Sequence, residues 1–251
     1  MVLYTPGQMT SYPSSPVKDG GLRFHFLGGG DEVGNVGCVL EDSAGTLLLI
    51  DYGFLPSNPP RYPDEAPVVA DALFTHAHLD HFGMAPWLVA AHRTNLHVTP
   101  VVADLAEMLW RDSYKVSSIE GDPLPWDKRD LEEALGYLQS HPTGVWNDIG
   151  GWRWRSHIAG HVVGAVMYEI ETPDRKILWT GDFDTCDSPT THGAQPVYRR
   201  MFCSWKLHTV ARITQNVPQK SSASSTASSR WWNEVGPLWF RFSPMGALRM
   251  C

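Results

Sequence analysis

Thr75-His76-Ala77-His78-Leu79-Asp80-His81 places four side chains of metal-ligand type within six residues. The run before it, Ala72-Leu73-Phe74-Thr75, is short and apolar and reads as a buried strand. The four groups therefore sit at a strand exit, where loops carry chemistry. So short a segment cannot wrap all four around one ion without crowding. If the chain turns at Leu79, it presents two pairs to two adjacent ions. Imidazole and carboxylate ligands suit zinc, with iron or manganese as alternatives. Paired ions are an established solution for hydrolysis. A single histidine would more often be a packing or surface residue; four ligand-type groups at this density point to metal.

Two other segments supply further ligands. Gly160-His161 falls in a loop between two expected strands, and Thr180-Gly181-Asp182 closes an apolar strand. Each alone is bland, and their order relative to the histidine cluster gives them meaning. Asp51 closes another strand in Leu49-Ile50-Asp51-Tyr52-Gly53. Its functional reading is an acceptor that orients a metal-ligating histidine from behind; its bland reading is a turn carboxylate before Gly53.

Around these motifs, strands are expected at residues 22–27, 36–40, 46–50, 72–75, 96–99, 152–155, 163–170 and 176–180. Helices are expected at 84–93, 104–114 and 129–139. Strands, then helices, then strands again predict an α/β sandwich of two sheets flanked by helices. Trp87, Trp110 and Trp179 are expected in the core. His25, His92, His97, His141 and His157 are read as packing or surface groups. Arg153 and Arg155 are read as a solvated strand face rather than a nucleic-acid contact.

The chain has 251 residues, with 43% apolar and 19% charged, an ordinary globular composition. Net charge is −7, without the basic surplus that marks many nucleic-acid binders. The charge is uneven: residues 201–251 carry +5, so residues 1–200 carry −12. Cys38, Cys186, Cys203 and Cys251 form no C-x-x-C pair and are read as unpaired thiols. No apolar run is long enough for a membrane span, and no secretory signal opens the chain, so a cytoplasmic location without membrane attachment is expected. Residues 1–20, rich in Pro, Ser and Gly, read as a flexible lead-in; 21–198 as the metal-binding domain; and 199–251 as an atypical basic tail with a Ser-rich linker at 221–229.

Taken together, these motifs resemble the metallo-β-lactamase superfamily, and most closely its β-CASP nuclease branch, which includes RNase J-type enzymes and RNA 3′-end cleavage factors. The resemblance runs from about residue 22 to about residue 197. It rests on Leu27-Gly28-Gly29-Gly30-Asp31-Glu32-Val33-Gly34, Ile50-Asp51-Tyr52-Gly53, and Thr75 through Gly83. Ala159-Gly160-His161-Val162-Val163-Gly164-Ala165 and Thr180-Gly181-Asp182-Phe183 complete it. The resemblance implies an αββα sandwich and two zinc ions. His76, His78 and His161 would hold one ion, Asp80 and His81 the other, and Asp182 would bridge. It also implies catalytic roles for Asp80, which would orient or deprotonate the attacking water, and for Asp51, which would support the histidines. It further implies an RNA or single-stranded DNA substrate and a homodimer.

The family pattern fades after the Thr-Gly-Asp motif. The family continues into a helical cap domain and a late histidine segment; here Pro196-Val197-Tyr198 leads into the basic tail. His192 and His208 lie in surroundings that do not match. The charge switch and the loss of pattern coincide near residue 198, so the sandwich is expected to be incomplete in its C-terminal half. Three functions follow as expectations: a zinc-dependent phosphodiesterase on RNA, a hydrolase of a small ester, thioester or lactam, or a metal-binding fragment without turnover. Val162-Val163-Gly164 after His161 favours the first over the second, whose members often carry Thr-Pro-Gly there.

Overall fold

A computed structural model describes residues 12–30, 32–122, 124–195, 197 and, for the backbone, 202–204. The lead-in before residue 12, Asp31, His208, the linker and the aromatic tail lie outside these residues.

Two sheets stack face to face. The first has six strands in the order β1 (Leu22–Gly28), β2 (Gly37–Asp42), β3 (Leu47–Tyr52), β4 (Asp71–Leu73), β5 (Asn95–Val98) and β6 (Leu138–Ser140). Its first three strands are antiparallel; β3 to β6 run parallel. The second sheet is ordered β11 (Phe202–Ser204), β10 (Lys176–Trp179), β9 (Val166–Glu171), β8 (Trp152–Ile158) and β7 (Asn147–Ile149). Its strands are antiparallel except for the β10–β11 pair.

Period-two alternation sorts the core into layers. Cys38, Leu40, Leu48, Ile50 and Leu73 of the first sheet meet Trp152, Trp154, Tyr168, Ile170 and Trp179 of the second. Val39, Leu49, Ala72 and Leu96 point the other way, onto helices. The helical layer comprises α1 (Leu79–Phe82), α2 (Ala85–His92), α3 (Pro100–Glu120) and α4 (Lys128–Leu135). Among the described residues all four helices contribute side chains to this one layer. Trp110 is fully buried there, and its indole donates to the Phe82 carbonyl at 3.3 Å. Trp179 is buried as expected, while Trp87 is partly buried against the helical layer.

Two of the expected helices differ in extent from the sequence reading. Helix α3 is longer than the expected 104–114. Thr99 caps it by accepting from the Val102 amide, Pro100 starts it, and Gly121 ends it in the left-handed region at φ 80°. Helix α4 stops at Leu135 instead of running to 139. Gly136 breaks it, and Leu138 to Ser140 pair with β5 as an edge strand. Leu138 suits either period, so a short apolar run could not separate the two.

Residues 12–20, read as lead-in, are held to the first sheet. Tyr12 donates to Glu41 at 2.7 Å, and Arg23 donates to the Pro13 carbonyl at 3.3 Å and to Glu41 at 2.6 Å. Arg153 and Arg155 pair with Glu171 at 2.6 Å and Glu169 at 2.7 Å and both lie over the Trp146 ring. Cys38 is a free buried thiol, whereas Cys186 is disulfide-bonded. The expectation of four free thiols fails at Cys186, because pairing depends on proximity in the fold, which spacing along the chain does not report. No helix among the described residues is long and apolar enough to cross a membrane.

Candidate metal centre

Strand β3 delivers Asp51, and the chain turns sharply there: Asp51 has φ 56°. The turn breaks the strand alternation, so Ile50 faces the sandwich core while Tyr52 faces the helices. The Asp51 side chain is fully buried and receives three donors. The Thr75 amide donates at 2.8 Å, the Thr75 hydroxyl at 3.0 Å, and His81 Nδ1 lies 2.9 Å away. A buried carboxylate without partners would cost several kcal/mol, so these contacts tie the end of β3 to the start of the histidine segment.

The histidine segment then closes into the single turn α1. The His81 amide donates to the His78 carbonyl at 3.0 Å and the Phe82 amide to the same oxygen at 2.8 Å. This turn at Leu79 separates His76 and His78 from Asp80 and His81, as the spacing suggested. Neighbouring backbone clamps it. The Val36 amide donates to Asp80 O at 2.8 Å, and the Phe54 amide to Leu79 O at 3.0 Å.

Two loops complete the cluster. His161 follows Gly160, which sits at φ 75°, and Asp182 follows Gly181, at φ 53°. A side chain on Gly181 would put its Cβ 2.8 Å from the Thr75 Cβ, so the second sheet reaches the histidine segment only because this residue has none. One ligand atom from each of His76, His78, His161 and Asp182 lies within 4.8 Å of all the others. His76 Nε2 and His78 Nδ1 are 3.0 Å apart, and His161 Nε2 is 3.4 Å from the same His78 Nδ1. Ligands around a tetrahedral zinc stand roughly 3.4 Å apart, given zinc–nitrogen bonds of about 2.1 Å. Three imidazole nitrogens and a carboxylate oxygen converging at this spacing fit a divalent ion. Burial, chiefly, and the neighbouring His161 push the His78 pKa down, which favours the neutral ring a metal requires.

Asp80 and His81 stand beside this group. His81 Nε2 is 3.8 Å from Asp80 Oδ2 and 3.7 Å from Asp182 Oδ1, while Asp182 Oδ2 is 3.8 Å from His161 Nε2. The two oxygens of Asp182 thus face the two halves of the cluster. His76 and His81 are fully buried, whereas the Asp80, Asp182 and His161 side chains are 24%, 20% and 30% exposed. The cluster has a closed back and an open front.

All six metal-ligand candidates are therefore brought together, with Asp51 behind them. Asp51 is fully buried behind the cluster, in contact with Thr75 and His81 and away from its open front. The remaining histidines fall elsewhere. His97 contacts Asp71 at 2.8 Å and His141 at 2.9 Å, His157 contacts Glu169 at 2.8 Å, and His192 is exposed beside Asp187. What the sequence reading passed over is Thr75, quoted in the motif without a role. Its signal was a hydroxyl placed directly before the first ligand on a strand otherwise apolar. Replacing Asp51 with Asn removes the anionic acceptor while keeping the shape. Metal affinity is expected to fall about 10–100-fold, measured by chelator competition on a chain whose circular dichroism is unchanged.

Residues 29–193 match the model of the metallo-beta-lactamase superfamily. Among curated proteins, the chain is 31% identical over 170 residues to Cleavage and polyadenylation specificity factor 73 of Drosophila melanogaster, covering 64% of this chain and 25% of that protein. It is 31% identical over 179 residues to Endoribonuclease YSH1 of Candida glabrata, covering 64% and 23%. It is 31% identical over 173 residues to Transcription termination factor FttA of a Lokiarchaeum species, covering 64% and 27%. The chain spans about a quarter of the length of these relatives. By the matched domain, the chain belongs to the metallo-beta-lactamase superfamily, and the curated relatives it matches are of the β-CASP branch.

Proposed function

We propose that this chain carries the two-zinc centre of a phosphodiesterase that cleaves RNA. The observation that carries the reading is the stance of Asp182, one carboxylate oxygen turned to His161 and the other to His81. A shared carboxylate between two ligand groups is what adjacent ions need. On this reading His76, His78 and His161 hold one zinc, Asp80 and His81 the other, and Asp182 serves both. Bound zinc acidifies water and stabilises negative charge developing on the phosphate. Asp80, on the open front, orients the attacking water and accepts its proton. Asp51 and Thr75 hold the histidines from the closed back. RNA as substrate is supported by the name of the YSH1 relative, an endoribonuclease, and by Val162-Val163-Gly164 after His161.

The test presents a labelled RNA oligonucleotide, a single-stranded DNA of the same sequence, a chromogenic lactam and a thioester to the zinc-loaded chain. RNA cleavage that disappears with a chelator and with His76→Ala is expected. Turnover of only the lactam or the thioester would sink the nuclease reading. Zinc binding with no turnover of any substrate would mean that the chain binds metal without being an enzyme.

A further inference from the structure

The hydrogen count around Thr75 assigns this residue a task. Its hydroxyl lies 3.0 Å from each oxygen of Asp51 and 3.0 Å from His76 Nδ1. A hydroxyl has one proton to give, and a carboxylate can only accept. The Thr75 proton therefore goes to Asp51, which leaves the hydroxyl oxygen as acceptor toward His76. His76 must then carry its proton on Nδ1, and its Nε2 is left bare. That bare nitrogen is the atom facing His78 within the ligand cluster. The same carboxylate acts directly on His81. Its Nδ1 lies 2.9 Å from Asp51, closer than the 3.4 Å to Thr75, so it donates to the carboxylate and bares Nε2 toward Asp80 and Asp182.

We propose that Thr75 is a positioning residue that relays Asp51 to His76, so that one buried carboxylate fixes the ring tautomers in both halves of the cluster. Its importance to activity rests on the metal-centre reading above; the relay itself does not. A neutral histidine side chain free in water favours the opposite form, with the proton on Nε2. Without the hydroxyl, His76 would have to exchange its proton before it could bind an ion. The isosteric Thr75→Val keeps the volume of this buried side chain and removes only the relay, while Thr75→Ser keeps the relay.

Long-range proton–nitrogen correlation spectra of the metal-free, nitrogen-15-labelled full chain read the tautomers directly. In the wild type, His76 and His81 are both expected with the proton on Nδ1. In Thr75→Val, His76 is expected to move its proton to Nε2 while His81 stays unchanged, which serves as an internal check of folding. Thr75→Ser is expected to match the wild type. Zinc competition should then show affinity about 10–100-fold weaker for Thr75→Val and close to wild type for Thr75→Ser. His76 carrying its proton on Nε2 in the wild type overturns the relay outright, whether or not the valine variant folds. Retention of the Nδ1 proton in Thr75→Val overturns it too. Expected tautomers in a chain that takes up no zinc would leave the relay standing and remove the metal-centre reading. Zinc uptake with unexpected tautomers would do the reverse.

Discussion

Asp182→Ala is expected to cost the chain about half of its metal, the ion beside Asp80 and His81, and to lower RNA cleavage by at least about 100-fold. That magnitude is a floor, since loss of an outer partner of a ligand already costs about 10–100-fold and Asp182 is itself a proposed ligand to both ions. The reason lies in its two oxygens, one 3.8 Å from His161 Nε2 and the other 3.7 Å from His81 Nε2. His76, His78 and His161 can still gather around one ion without it. Asp80 and His81 alone are two ligands, too few for a stable site. Asp182→Asn sharpens the expectation. An amide keeps one oxygen for one ion but offers an N–H group, not an acceptor, to the other. It should therefore hold about one ion per chain, where the wild type holds about two on the two-metal reading. Elemental analysis with cleavage rates on the same samples checks both variants. Equal metal content in wild type, Asn and Ala would contradict a shared carboxylate.

Gly53→Ala is expected to give the largest loss of stability near the site. A Cβ at residue 53 would overlap the Asp80 carbonyl carbon and the His81 amide nitrogen, both backbone atoms. Neither can retreat at little cost. Asp80 O accepts from the Val36 amide at 2.8 Å, Leu79 O from the Phe54 amide at 3.0 Å, and Gly53 N itself donates to Val36 O at 2.9 Å. Overpacking of this kind costs about 1–3 kcal/mol and sometimes more, which corresponds to a fall in Tm of about 2–12 °C for a chain of this size. The displaced segment carries Asp80 and His81, so metal should be lost with stability. Gly136→Ala is the control. It has an ordinary φ of −74° and its nearest neighbour is the Glu133 carbonyl oxygen at 3.3 Å. A Tm for Gly53→Ala within a degree of that control would contradict the close approach.

The site was more legible in the sequence than its frame. His76, His78, Asp80 and His81 declare themselves because four ligand types rarely fall so close together by chance. His161 and Asp182 could be read only through their order along the chain and the family resemblance, since Gly-His and Gly-Asp are ordinary turn pairs. Apolar alternation placed most strands of both sheets, because each has one face on the inter-sheet core and one elsewhere. The exposed edge strands β6 and β7 carried little such signal. Leu138 was read as the end of a helix, and no strand was expected at 147–149. Thr75 escaped because a hydroxyl has no preferred reading until its neighbours in space are known. Gly53 and Gly181 escaped for a related reason. Each was read as part of a motif, while its task, letting the Asp80–His81 backbone approach Gly53 and Thr75 approach Gly181, appears only in the folded chain.

The most direct measurement is the metal content of the purified chain, by elemental mass spectrometry, after loading with zinc and removal of excess. The account predicts about two zinc ions per chain for the wild type and about one for Asp182→Asn. A wild-type chain that keeps no zinc would contradict the metal centre itself, and one that keeps a single ion, unchanged by Asp182→Asn, would contradict the shared carboxylate at its heart.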